Sequence, residues 1–150
     1  MAFGYRYTLE RQENGWWLVR FPSVPEALTE GETEGEARAN ALDCVTAALE
    51  GYMKLGRPVP RDSERRSSGD RAVLPSLTTA KLAVYETMRV RGWSKLRLAK
   101  ELDMPENSIR RLLDLRHASR MQAIDQALAK MNTELPVDLP LAEPHGKAAA

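Results

Sequence analysis

Five polar side chains in one short stretch could hydrogen-bond to the edges of bases: Glu106, Asn107, Ser108, Arg110 and Arg111. Asn107 and Arg111 stand four residues apart, one helical turn, so both project from the same helix face. An asparagine can make two hydrogen bonds to adenine, and an arginine two to guanine. Lys95, Arg97 and Arg120 flank this stretch. They are suited to backbone phosphates, which set the register of a protein on a duplex without reading its sequence.

The segment that would position these groups runs from Ser94 to Leu113. Ser94 is a good N-cap, because its hydroxyl can accept from an orphan amide of a first turn. Leu98, Ala99 and Leu102 then recur at helical spacing, with Lys95, Arg97, Lys100 and Glu101 facing out. Asp103, Met104 and Pro105 break the run, and Pro105 suits the first turn of a second helix. That helix turns Ile109, Leu112 and Leu113 inward. Two short helices joined by a tight turn, with a small Ala99 at the crossing and an Ile109 anchor, form a helix-turn-helix pattern whose second helix reads the major groove. The alternative is an αα-hairpin whose charged face is merely solvated.

A helix is expected on either side of this pair. From Leu77 to Gly92, Thr78 or Thr79 would cap the first, and Leu82, Val84, Tyr85 and Met88 would be buried. Leu115 to Ser119 is a short basic connection holding Arg116 and His117. Met121, Ile124, Ala127, Leu128 and Met131 mark the last helix. Four short helices with the turn between the second and third is the arrangement of phage-repressor-like DNA-binding domains. Residues 133–150 contain Pro136, Pro140 and Pro144 and are expected to form a disordered tail.

Upstream the periodicity changes. Tyr5, Tyr7 and Leu9 alternate with Arg6, Thr8 and Glu10, the pattern of a strand with one buried face. Asn14-Gly15 is a strong turn signal. Trp16 to Phe21 carries apolar groups on both faces, which places it inside a sheet or under a partner. Ala27 to Glu30 is a third, short strand. Thr33 and Glu36 have capping-box spacing and open a helix with Ala37, Ala41, Cys44, Val45, Ala48, Leu49 and Tyr52 on its apolar stripe. Gly56 can close that helix in a left-handed conformation. Residues 61–71 read as a loop or linker, and Ala72 to Leu74 as a returning strand. The expected class is α+β: a β-β-β-α-β unit over 1–75, then an all-α unit over 76–132. A unit as small as the first is marginal alone, which makes a dimer plausible.

Composition narrows the function classes. The net charge of +1 divides into an acidic excess of three over residues 1–62 and a basic excess of five over residues 73–132. The basic part fits phosphate contacts, and the acidic part fits a basic protein. The chain has one cysteine, Cys44, so it can form no internal disulfide. Cys44 is expected to be a small buried residue. Apolar runs are too short for a membrane span and no signal peptide is visible, so the expected compartment is the cytoplasm.

Tyr7-Thr8-Leu9-Glu10, Gly15-Trp16-Trp17-Leu18-Val19-Arg20-Phe21-Pro22, Gly31-Glu32-Thr33 and Glu36-Ala37 resemble the HicB family, antitoxins of type II toxin–antitoxin systems. Ala80-Lys81-Leu82-Ala83, Ser94-Lys95, Leu98-Ala99, Ile109 to Asp114, Arg116-His117 and Ser119 resemble that family's helix-turn-helix branch. Pro25-Glu26-Ala27 departs from the Pro-Gly-Cys that many relatives have. The resemblance implies a partial ribonuclease-H-like fold for residues 1–75, binding a HicA-type mRNA-cleaving toxin. It also implies operator binding by the second unit, repression of the protein's own operon, and a homodimer or dimer of dimers. A dimer would meet an operator that is an inverted repeat. Trp16 and the acidic rim of Glu30, Glu32, Glu34 and Glu36 are the expected toxin contacts.

Enzyme readings are weak. Ribonuclease-H chemistry needs clustered carboxylates to hold two metals. Glu10 and Glu13 lie near a strand end, and the acidic residues at 30–36 are accounted for by a helix dipole. There is no Cys/His metal spacing, no Gly-rich phosphate loop and no nucleophile motif, so neither a cofactor nor a metal is expected. The remaining alternative is a stand-alone transcription regulator whose first unit senses a small molecule, although that unit looks too thin to hold a pocket.

Overall fold

A computed structural model describes residues 3–62 and 69–135. Four strands and five helices follow in the order β1 (Gly4–Arg11), β2 (Trp17–Arg20), β3 (Leu28–Gly31), α1 (Glu34–Lys54), β4 (Asp70–Val73), α2 (Ser76–Arg91), α3 (Lys95–Glu101), α4 (Glu106–Leu113) and α5 (Met121–Lys130). The class is α+β. No helix among the described residues is long and apolar enough to cross a membrane.

The sheet is antiparallel throughout, in the order β3-β2-β1-β4. β2 lies inside the sheet, with Val19 buried on one face and Leu18 half-buried on the other. Leu9 pairs with Val19, and Val19 with Thr29. Tyr5, Tyr7 and Val19 therefore share one face, and they bury it against Ala37, Ala41, Val45 and Leu49 of α1. Gly15 takes φ 87° in the turn between β1 and β2. Two tight turns follow β2, with Val24 N–H donating to Phe21 O and Ala27 N–H to Val24 O, and Pro25-Glu26-Ala27 falls in the second.

Local signals set both ends of α1. Thr33 Oγ1 accepts from Glu36 N–H at 3.1 Å. Glu36 reaches back to Glu32 N–H at 3.0 Å, one residue before the cap. At the other end Gly56 adopts φ 65°. Its N–H donates to Met53 O and that of Arg57 to Tyr52 O, the Schellman pairing. Gly31 has a different reason for being glycine. A Cβ there would lie 2.5 Å from the Ala37 nitrogen, because β3 runs directly into the first turn of α1.

Several expectations are corrected. Neither Thr78 nor Thr79 caps α2: the N-cap is Pro75, which has no side-chain donor or acceptor, and Thr78 is buried. Pro105 is the N-cap of α4 rather than its first helical residue. The linker expected over 61–71 is shorter, since Asp70 and Arg71 belong to β4. Residues 63–68 of it lie outside the described residues, as does the tail from 136. Asp62 is buried, accepting from Arg6 N–H of β1 at 3.0 Å and from Ser23 Oγ, after β2, at 3.1 Å. Cys44 and Tyr85 are only half-buried, and Met121 is exposed.

Gly31→Ala should destabilise the fold by about 1–3 kcal/mol, because the new methyl meets backbone that cannot rotate away. Urea denaturation of the variant, compared with Gly35→Ala where a Cβ meets nothing closer than 4.0 Å, measures the steric part.

Candidate functional site

The α3–α4 pair is built as its spacing demands. Ser94 Oγ accepts from Arg97 N–H at 3.0 Å, and Gly92, at φ 67°, ends α2 one residue before Trp93. Asp103 turns the chain with φ 51°, and Met104 N–H donates back to Ala99 O at 2.9 Å. Leu98, Ala99, Ile109, Leu112 and Leu113 pack with α2 and α5 residues in one buried cluster. That packing leaves Glu106, Asn107, Arg110 and Arg111 exposed and Ser108 half-buried. Arg110 bonds Glu106 at 3.0 Å one turn back. Arg97 lies over the Trp93 ring at 4.1 Å from its centroid, a cation–π contact that limits its reach.

The C-terminal end of α4 is tied to the rest of the molecule by two basic residues. Lys81 of α2 is 0 % exposed. Its ammonium donates to Arg111 O at 3.0 Å, Asp114 O at 2.6 Å and Ser119 Oγ at 2.8 Å. Burial pulls its pKa below the usual lysine value, with Asp114 opposing. Two residues beyond Asp114, Arg116 bonds Asp43 and, at 2.8 Å, Glu50, both on α1. Leu115 between them is buried in the cluster under the sheet. Two further bonds join the same parts: Tyr85 OH donates to Arg57 O at 2.7 Å, and Glu86 Oε1 accepts from Val59 N–H at 2.7 Å.

At the opposite end lies an acidic surface. Glu30, Glu32 and Glu34 are all exposed where β3 passes into α1. Glu34 bonds Arg38 at 2.8 Å, and Arg38 also bonds Asp70. Trp17 pairs with Gly31, which brings the half-buried Trp16 to this end of the sheet. Among the described residues, no three of His, Cys, Asp and Glu are placed to hold a metal ion.

Residues 4–83 match the model of a family described as HicB-like antitoxin of bacterial toxin–antitoxin system. The chain is 33 % identical over 132 residues to Antitoxin HicB 2 of Photorhabdus laumondii, covering 87 % of this chain and 92 % of that one. It is 29 % identical over 131 residues to Antitoxin HicB of Escherichia coli K12, covering 87 % and 95 %. The chain belongs to the HicB-like antitoxin family. Antitoxins of this family are not enzymes, which sets nuclease chemistry aside on positive grounds. The family match runs through the sheet and α1 and ends within α2, just past Lys81.

In this antitoxin the structure brings Asn107 and Arg111 together on the exposed side of α4, with Lys95, Arg97 and Arg120 also exposed at the starts of α3 and α5. Glu106 and Arg110 engage each other. Sequence reasoning missed the parts played by Lys81 and Arg116. Lys81 did leave a signal: it falls four residues after Leu77 and three before Val84, a lysine inside an apolar stripe.

Lys81→Met should cost about 2–3 kcal/mol, since it removes three hydrogen bonds that a fully buried ammonium donates to the end of α4 and to Ser119. Arg116→Ala removes only exposed ion pairs and should cost less than about 1 kcal/mol. Chemical denaturation of the two variants side by side gives that ordering or refutes it.

Proposed function

We propose that this antitoxin neutralises a HicA-type mRNA-cleaving toxin through residues 1–75 and represses its own operon through residues 76–132. The first unit would be a partial ribonuclease-H-like fold, and the second a phage-repressor-like helix-turn-helix domain. The observation that carries the DNA half is the exposed Asn107–Arg111 pair on α4, on a helix whose other side is fully packed and whose last turn is tied down by Lys81. Side chains of these two types on a helix held in place suit bidentate base contacts. Ser108, Arg110 and Glu106 would complete the reading face once the Glu106–Arg110 pair exchanges for base edges. Lys95, Arg97 and Arg120 would hold phosphates.

The toxin half is supported by the family and by the exposed carboxylates of Glu30, Glu32 and Glu34 beside Trp16, a surface of the right sign for a basic protein. The protein would act as a homodimer or dimer of dimers on an inverted-repeat operator, with recognition helices about 34 Å apart. A stand-alone regulator sensing a small molecule has less support, because the groove beside α1 is an open trough rather than an enclosed pocket.

Asn107→Ala or Arg111→Ala should weaken operator binding by about 1–3 kcal/mol at fixed salt, with little change on random DNA. Equal losses on both DNAs, measured by fluorescence anisotropy, would remove the base-reading role. Lys95→Ala or Arg120→Ala should instead weaken both and flatten the salt dependence.

A further inference from the structure

The Lys81 ammonium draws Arg111 O, Asp114 O and Ser119 Oγ to within 3.0 Å of one nitrogen. The chain from Asp114 to Ser119 is therefore a closed loop hung on the end of α4. Arg116 is two residues into it, and two residues of chain reach about 7 Å at most, so Arg116 stays beside the last turn of α4. Arg111 precedes the loop and Arg120 follows it, and Arg116 and His117 are exposed between them. A helix seated in a major groove about 12 Å wide is left by a chain that passes the phosphate-lined edge of that groove. An arginine at this place is suited to a phosphate oxygen.

The Arg116 side chain faces α1 instead. Nε donates to Glu50 at 2.8 Å and Nη1 to Asp43. Those carboxylates stand seven residues apart, two turns along one face of the helix. Among the described residues of α2 to α5 and their connections, Arg116 alone forms an ion pair with the first unit. Arg89 pairs with Glu86 and Arg110 with Glu106, each within its own helix, while Lys95, Arg111 and Arg120 have no ion pair among the described residues.

A carboxylate offers a guanidinium the same kind of charged oxygen as a phosphate. The side chains of Arg116 and Asp43 are 47 % and 73 % exposed, and pairs this open to water are weak. Release moves only a side chain. The backbone keeps its course, because Leu115 is buried and Arg116 N–H donates to Asp114 Oδ1 at 2.9 Å. Nor does release part the two units, which the Tyr85–Arg57 and Glu86–Val59 bonds also join.

We propose that Arg116 is a DNA-phosphate ligand held in reserve, and that Asp43 and Glu50 occupy it in the free protein as internal substitutes for phosphate. The inference rests on the DNA-binding reading above. It makes the first unit a brake on the second. Every duplex is held less tightly than the basic residues of the second unit alone would hold it, and the loss is the same for all sequences, because phosphate contacts carry no base information.

The test uses the full chain, the DNA fragment upstream of its own gene and a random duplex of equal length. D43N/E50Q keeps the shape of both side chains and removes their charge. That change lessens general repulsion of DNA whatever Arg116 does, so it is made with and without R116Q. We expect D43N/E50Q to tighten binding to both DNAs about fivefold when Arg116 is present and less than about twofold when it is not. The salt dependence should steepen by about one released counterion, again only with Arg116 present. Equal gains in the two backgrounds would mean general repulsion and would overturn the proposal. So would weaker or unchanged binding by D43N/E50Q, the outcome if the pairs only fasten the two units together. Thermal melting checks that the variants fold, and D43N alone, at the more exposed carboxylate, repeats the comparison if the double variant does not. If the wild-type chain binds neither DNA even at low salt, the DNA-binding reading itself falls and takes this inference with it. Wild-type binding with equal gains rejects the reserve role of Arg116 alone.

Discussion

A fully buried ammonium is costly unless every proton finds an oxygen, and the Lys81 ammonium finds three. All three acceptors come from one stretch, Arg111 to Ser119. That stretch consequently has little freedom of course. Its start must present the last carbonyls of α4 to α2, and its end must return the Ser119 hydroxyl to the same point. Leu115, in between, is carried into the cluster beneath the sheet, and Arg116 onto α1. The exposed ion pairs of Arg116 add direction more than energy. The connection between α4 and α5 is thus also the joint between the two hydrophobic clusters, and Met53 packs against both.

The sheet side of that joint is equally constrained. α1 is set by a cap at Thr33 and a left-handed stop at Gly56, and its stripe of small residues, Ala37 and Ala41, lets it lie close over β1 and β2. Gly31 fixes how near β3 can come. The same closeness at the head of α1 is relaxed further along, where the seam opens into the groove beside Ala47 and Ala48.

What was legible in the residues was what depends on neighbours in the chain. Alternation placed β1 and β2, the Thr33–Glu36 spacing and Ser94 placed two helix starts, and Gly56 and Gly92 placed two helix ends. The outward side of α4 followed from helical period alone. What escaped depends on partners far away in sequence. Asp62 reads as one more polar residue of the 61–71 loop, and only its distant partners, Arg6 N–H and Ser23 Oγ, give it a buried role. Thr78 and Thr79 look like caps, but tertiary packing buries Thr78 and starts the helix earlier, at Ser76. Arg116 reads as one more charge in a short basic connection, and its partners lie 73 and 66 residues away on α1. Such pairings carry no local pattern.

The fold asks of Arg111 chiefly its carbonyl, which any residue supplies, and asks of Asn107 no hydrogen bond among the described residues beyond those of the helix itself. Side chains on that side of α4 are consequently free to drift. Replacing them changes what the helix touches outside the molecule while leaving the scaffold almost as stable as before. Descendants of this chain could acquire new recognition one substitution at a time, with no compensating change in the core, whereas Lys81 and Gly31 hold positions from which drift has no gentle path.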